Sequence, residues 1–122
     1  GWSLGGLIAR EYAKARPEAV RQVITMGSPF SGDIAHTTNV ARVYQRVTGH
    51  APQHAPFAAG LNEKPPVPTV ALWSRKDAVV APKASRGYAG EVDDSIEMQC
   101  PHMGFSVCPD TIRTVAALLA RD

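Results

Sequence analysis

Gly1-Trp2-Ser3-Leu4-Gly5-Gly6 opens the chain, and the fold is decided on it. The hexapeptide fits G-x-S-x-G, the pattern of a serine held on a tight turn between a strand and a helix. Glycines beside the serine allow close approach of strand and helix and backbone angles that a side chain resists. Two glycines at this spacing around a serine arise by chance in about one chain of this length in thirty. The pattern alone therefore leaves room for a plain Gly-Ser turn at the start of a helix, and the rest of the chain must decide.

Working outward, Leu4, Leu7, Ile8, Tyr12 and Ala15 recur at helical spacing, so Ser3 to Arg16 reads as a helix that Ser3 can cap and Pro17 ends. Arg21 to Met26 reads as a strand centred on Val23 and Ile24, broken by Gly27-Ser28-Pro29. Residues 33–66 are the least regular: Val40, Val43, Tyr44 and Val47 suggest a short helix, and Pro52, Pro56, Gly60, Pro65 and Pro66 punctuate the remainder. This stretch reads as a cap-like insertion or a long loop, and the apolar run Ala55-Pro56-Phe57-Ala58-Ala59 suits a lid or an ordinary cap. Val67 to Trp73 is the strongest strand, apolar enough to be buried on both faces. Val79 to Gly90 reads as a loop with a helical turn, and Asp94 to Met98 as a third strand followed by a loop carrying His102. A last helix, capped by Asp110, reaches Leu119 with Ile112, Val115, Ala116 and Leu119 on one face.

Strands separated by helices or long crossovers imply an α/β fold with a parallel sheet. The expectation is one partial domain over residues 1–122, with about three strands flanked by helices and the insertion at 33–66. That is half of an open sheet, whose first strand lacks a partner on one side. Gly1 is not an initiator Met and no leader follows it, so upstream sequence is expected, and cytoplasmic and secreted destinations both stay open.

Composition narrows the class. With 44% hydrophobic and 20% charged residues the chain is that of an ordinary globular domain, and a net charge of +2 on scattered Lys and Arg argues for neither nucleic acid nor an anionic membrane. No apolar run approaches the roughly 18 residues of a spanning helix. No cofactor or metal is called for: Cys100 and Cys108 match no zinc spacing. The pair suits a disulfide in an oxidising compartment or two buried thiols in the cytosol; a bridge would close a short loop around His102.

A serine nucleophile on such a turn needs an acid and then a histidine later in the chain. In a parallel sheet all must lie beyond the carboxyl ends of the strands. Asp77 follows four residues after Trp73 and His102 four residues after Met98, so both fall at that rim. Asp93 and Asp94 precede the last strand and belong to the opposite rim. Asp33 is a weaker candidate, better read as a loop cap. His36, His50 and His54 all precede Asp77 and break the order.

Taken together, the chain resembles the α/β-hydrolase superfamily, in particular its lipase and carboxylesterase members. The resemblance rests on GWSLGG, on Ile24-Thr25-Met26-Gly27-Ser28-Pro29, on Trp73-Ser74-Arg75-Lys76-Asp77-Ala78-Val79-Val80 and on His102-Met103-Gly104-Phe105. These span nearly the whole chain except 33–66. The resemblance implies the C-terminal half of an α/β-hydrolase fold and a serine esterase or lipase, with Ser3 as nucleophile, His102 as base and Asp77 as its orienting acid. It also implies the backbone N–H of Leu4 as one oxyanion donor, the second coming from a loop after an earlier strand. Pro101 stands where relatives often have a small residue before the histidine. Trp2, Phe30, Val79 and Met103, with Val80 and Phe105, are apolar residues of the rim loops and so candidates to line a pocket for a small-molecule ester or lipid. An acyltransferase would use the same triad, and product analysis with added alcohol separates the two. A non-catalytic binding protein on this fold would have lost a triad member, and all three are present.

Overall fold

The computed structural model describes residues 1–32, 44–46, 48, 49 and 60–121. The helix after the opening turn, α1, runs over Leu4–Ala15 and is succeeded by a 3-10 turn at Pro17–Ala19, where proline ends the helix as expected. Its buried seam is Gly6, Leu7, Arg10 and Ala13, spaced by three and four. Ile8 and Tyr12, expected on the buried face, are instead 56% and 53% exposed. The seam that lies against the rest of the domain thus includes the small Gly6 and Ala13 beside Leu7 and Arg10.

The sheet has three strands: β1 (Val23–Met26), β2 (Thr69–Ser74) and β3 (Asp94–Met98). They are parallel and lie in the order β1-β2-β3, with Val23 opposite Thr69 and Val70 opposite Asp94. β3 has the bounds read from sequence. β2 starts at Thr69 rather than Val67 because Pro68 has no N–H for the ladder. β1 starts at Val23 rather than Arg21, its pairing with β2 beginning opposite Thr69, and the side chains of Arg21 and Gln22 donate to the carbonyls of Leu119, Arg121 and Leu118. Ahead of Ser3 the backbone is extended: Trp2 bridges Met26 in parallel, Met26 N–H donates to Gly1 O at 2.9 Å, and Ser3 N–H donates to Met26 O at 2.9 Å. The chain thus enters Ser3 as a strand alongside β1 and leaves it as α1.

Two further helices are α2 (Pro82–Ser85) and α3 (Pro109–Leu119). Cys108, not Asp110, occupies the cap position of α3, with Pro109 in the first helical place, where its missing N–H loses nothing. Asp110 sits in the first turn, where a negative charge suits the helix dipole, and holds Arg113 at 3.0 Å. The buried residues of α3 are Thr111 and Leu118, with Val115 partly buried; Ile112, Ala116 and Leu119 are exposed. No helix among the described residues is long and apolar enough to cross a membrane.

Alternation along β2 divides the core. Val70 and Leu72 face Met98, Cys100, Phe105 and Leu118, while Ala71 faces Leu7, Phe30 and Leu61. Phe30, expected to line a pocket, is fully buried in this second cluster, with the Arg10 guanidinium 3.9 Å from its ring centroid.

Arg10 belongs to a buried polar clasp. Its Nη2 donates to the carbonyls of Asn62, Glu63 and Glu91 at 3.3, 3.2 and 3.0 Å. Desolvation lowers the guanidinium to about 10, so it stays charged at neutral pH. The Glu91 carboxylate accepts from Ser31 Oγ (2.6 Å), Gly32 N–H (2.9 Å), Tyr88 N–H (2.9 Å) and Asn62 Nδ2 (3.4 Å). Ser31 and Gly32 are where the chain departs toward the irregular stretch, and Asn62 is where it returns. One carboxylate therefore joins both roots of that stretch. The helix expected around Val40 to Val47 and the apolar run at 55–59 lie largely or wholly outside the described residues, as do Asp33, His36, His50 and His54.

Burial by itself pushes the Glu91 carboxyl up, but its four donors outweigh that and hold it below the usual range. A depressed carboxyl contributes stability that is complete above its unfolded value of about 4.3 and is lost as pH falls through the lower folded value. Glu91→Ala strands several buried donors and is expected to lower stability by about 3 kcal/mol or more in urea unfolding at pH 7. It should also flatten the acid limb of the stability–pH curve below about pH 4.3; an unaltered acid limb would count against the clasp.

Candidate active site

The site begins with strain. Ser3 has φ 55° and ψ −126°, and is the one non-glycine with positive φ among the described residues. A side chain in such a region costs on the order of 1–3 kcal/mol. Ser3 does not cap α1 with its hydroxyl, contrary to the simplest reading of a serine in that place. The side chain is free to point elsewhere.

Packing around the turn explains the glycines unevenly. A Cβ on Gly1 would stand 2.3 Å from Gly5 O, and one on Gly6 would stand 1.9 Å from Ser28 Oγ. A Cβ on Gly5 would meet nothing within 4 Å. The steric demand that the G-x-S-x-G pattern assigns to its second glycine therefore falls one residue later, on Gly6. Ser28, from the Gly27-Ser28-Pro29 turn after β1, is the fully buried partner.

Asp77 lies three residues beyond the end of β2. Its Oδ1 accepts the N–H groups of Val79 and Val80, both at 2.9 Å, and its Oδ2 meets His102 Nδ1 at 2.8 Å. The D-x-V-V pattern thus has a physical meaning: two amides of the turn fix one oxygen and aim the other at the imidazole. Gly27 makes room for this, since a Cβ there would lie 2.9 Å from Asp77 Oδ2 and 2.8 Å from the Phe105 ring.

His102 opens a 3-10 turn, His102–Ser106, that comes after β3. Pro101 precedes it with extended angles and accepts Gly104 N–H at 2.8 Å, so the proline shapes this turn. Cys100 and Phe105 anchor it in the core on either side. The indole Nε1–H of Trp2 donates to His102 O at 3.0 Å, and the two rings lie 5.5 Å apart at 38°. With Nδ1–H directed to Asp77, Nε2 is the ring nitrogen left for a reacting group. Both cysteines are free thiols rather than a bridge. Burial pushes the Cys100 thiol up, so it stays protonated and packs as an apolar residue.

Ser3 and His102 line one cavity of about 410 Å³, together with Trp2, Leu4, Gly5, Arg46, Val79 and Met103. Leu4 is the first residue of α1, so its N–H has no acceptor within the helix. The next two amides are engaged: Gly5 N–H with Trp2 O and Gly6 N–H with Ser3 O. Among the described residues no hydrogen bond joins Ser3 Oγ to His102; in a site without substrate such bonds are often long. Of the residues expected at a pocket, Trp2, Val79 and Met103 border this cavity. Phe30, Val80 and Phe105 are buried in the core instead, Phe30 against Leu7 and Ala71, Phe105 against Val70 and Leu72, and Val80 against Ala84. Asp93, at the other end of β2, exchanges hydrogen bonds with Thr69 and is remote from the C-terminal rim. Sequence reasoning does not reach Gly5 and Arg46 as lining residues; a single Arg in an irregular stretch carries no pattern.

No family model matches the chain, and no curated protein matches it. Solved structures do. Alpha/beta hydrolase domain-containing protein 10 from mouse is 22% identical, with a TM-score of 0.62 over 98% of this chain and 60% of that one. MGS-MChE2, an alpha/beta hydrolase enzyme from the metagenome of sediments from the lagoon of Mar Chica, Morocco, is 22% identical, with a TM-score of 0.57 over 98% of this chain and 58% of that one. RedJ, solved with a PEG molecule bound in its active site, is 22% identical, with a TM-score of 0.56 over 97% of this chain and 58% of that one. The chain therefore has the α/β-hydrolase fold, and it spans 58–60% of the length of these structures.

Two substitution experiments probe the geometry. Gly6→Ala should lower stability by about 1–3 kcal/mol through its clash with Ser28. Gly5→Ala should leave stability unchanged or raise it by up to about 1 kcal/mol through helix propensity; thermal unfolding of the pair checks the order, and equal effects would contradict the packing described. Trp2→Phe keeps an aromatic ring but removes the donor to His102 O, leaving that carbonyl short of a partner. Stability should fall by about 1 kcal/mol, read from urea midpoints against the same change at Trp73.

Proposed function

We propose that the protein containing this chain is a serine hydrolase of carboxylic esters, working through Ser3, His102 and Asp77 and an acyl-enzyme. The observation that carries this reading is the 2.8 Å contact from His102 Nδ1 to Asp77 Oδ2, buried beside a cavity shared with a serine held at φ 55°. In the proposed reaction His102 Nε2 takes the Ser3 proton as Oγ adds to the ester carbonyl carbon. The carbonyl oxygen gains the charge, which Leu4 N–H and a second donor stabilise. Collapse of the tetrahedral intermediate breaks the carbon–oxygen bond to the alcohol, which leaves with the proton from His102. Water, deprotonated by the same nitrogen, then attacks the acyl group and releases the acid and Ser3. The Asp77 carboxylate stabilises the imidazolium. The apolar walls formed by Trp2, Leu4, Val79 and Met103 suit the hydrocarbon part of a small ester.

Turnover of p-nitrophenyl butyrate by the full-length protein tests the reading. Ser3→Ala should lower kcat by about 10⁴-fold or more, and Asp77→Asn by about 10⁴-fold, since it favours the wrong imidazole tautomer. Undiminished turnover in Ser3→Ala would refute the assignment.

A further inference from the structure

Among the described residues, exposed Arg46 is the one with a permanent positive charge on the wall of the cavity beside Ser3 and His102. Apart from Ser3, Gly5 and His102, the described lining it shares is apolar: Trp2, Leu4, Val79 and Met103. No ion pair or hydrogen bond engages its guanidinium among the described residues. The nearby carboxylate of the site, Asp77, is fully occupied: two amides hold one oxygen and His102 the other. Most other arginines of the described chain are engaged, Arg10 by three carbonyls, Arg16, Arg75, Arg113 and Arg121 by carboxylates, and Arg21 by two carbonyls. An unmatched planar cation facing an apolar cavity has the chemistry of a receptor for a carboxylate, which it can hold by two parallel hydrogen bonds.

We infer that Arg46 selects esters whose acyl chain ends in a carboxylate, that is, half-esters of short dicarboxylic acids. The inference rests on the proposed ester hydrolysis, since it deepens the substrate class of the same cavity. The acyl methylenes lie along the apolar wall, the ester carbonyl sits at Ser3, and the far carboxylate meets the guanidinium. A volume of about 410 Å³ accommodates a substrate of this size. The competing view of Arg46 is a solvated arginine whose stem merely covers the apolar rim, and it predicts no charge discrimination.

The test compares mono-p-nitrophenyl glutarate with p-nitrophenyl valerate, which has the same chain length and no carboxylate, on the full-length protein. The measured quantity is the ratio of their kcat/KM values, which is independent of the fraction of protein correctly folded. Arg46→Gln should lower that ratio about 10- to 100-fold, mainly through KM of the glutarate ester. Arg46→Lys should recover part of the loss, and rising salt should shrink the wild-type ratio. A ratio unmoved by Arg46→Gln overturns the inference. A second measurement stands apart from turnover: calorimetric binding of monomethyl glutarate and of methyl valerate to Ser3→Ala protein. Weaker binding of the glutarate alone when Arg46→Gln is added supports the carboxylate receptor, and equal binding of both esters overturns it. Loss of Ser3-dependent valerate turnover would instead strike the hydrolase reading, so the two failures are distinguishable.

Discussion

The backbone at Ser3 is the constraint on which the rest depends. A serine at φ 55° between a strand and a helix is stable only if its surroundings leave it no alternative. Gly1 and Gly6 supply the closeness, Ser28 fills the space beside Gly6, and the hydrogen bond from Ser3 N–H to Met26 O fixes the turn against β1. The result is a hydroxyl that does not cap its own helix, directly before an amide that the helix cannot use. The uncapped hydroxyl and the unused amide are thus products of one strained turn.

The opposing half of the site is built without strain, by saturation. Every lone pair of Asp77 that matters has a donor, and the imidazole it orients is seated by the indole of Trp2 above and by Cys100 and Phe105 in the core. Gly27 links the two halves, since its missing side chain is the space into which Asp77 and Phe105 both reach. Serine, acid and histidine all come after the carboxyl ends of strands, where the parallel sheet leaves its loops convergent.

Much of this is legible in the sequence because it depends on local chemistry. The elbow pattern, the acid after the long strand and the histidine after the short one can be placed by counting from strand ends, and the bounds of β3 agree to the residue. The errors share a cause, which is that apolar character alone does not say which side of a segment faces inward. Ile8, Tyr12, Ile112 and Leu119 look like core and are exposed, whereas Arg10, Thr111 and Glu91 look like surface and are buried. Phe30 reads as a pocket residue because it lies in a rim loop, yet Arg10 stacks on it in the interior. These choices are set by contacts across about 50 to 80 positions of sequence, such as Arg10 with Asn62 and Glu91, which no local window contains.

That long-range clasp bears on the chemistry. Gly32 N–H and Asn62 Nδ2, at the two roots of the irregular stretch, both donate to the Glu91 carboxylate. Glu91 in turn is carried by the turn that leads from α2 into β3, and Arg10 ties its backbone to the helix that begins just after Ser3. The two roots and the helix that begins just after Ser3 are therefore joined through one buried residue. The same clasp shows how an arginine and a glutamate, each expensive to bury alone, are accommodated in so small a core: Glu91 accepts from two backbone N–H groups and from Ser31 and Asn62, and Arg10 Nη2 donates to three backbone carbonyls, while Arg10 Nε and Nη1 stay without a partner among the described residues.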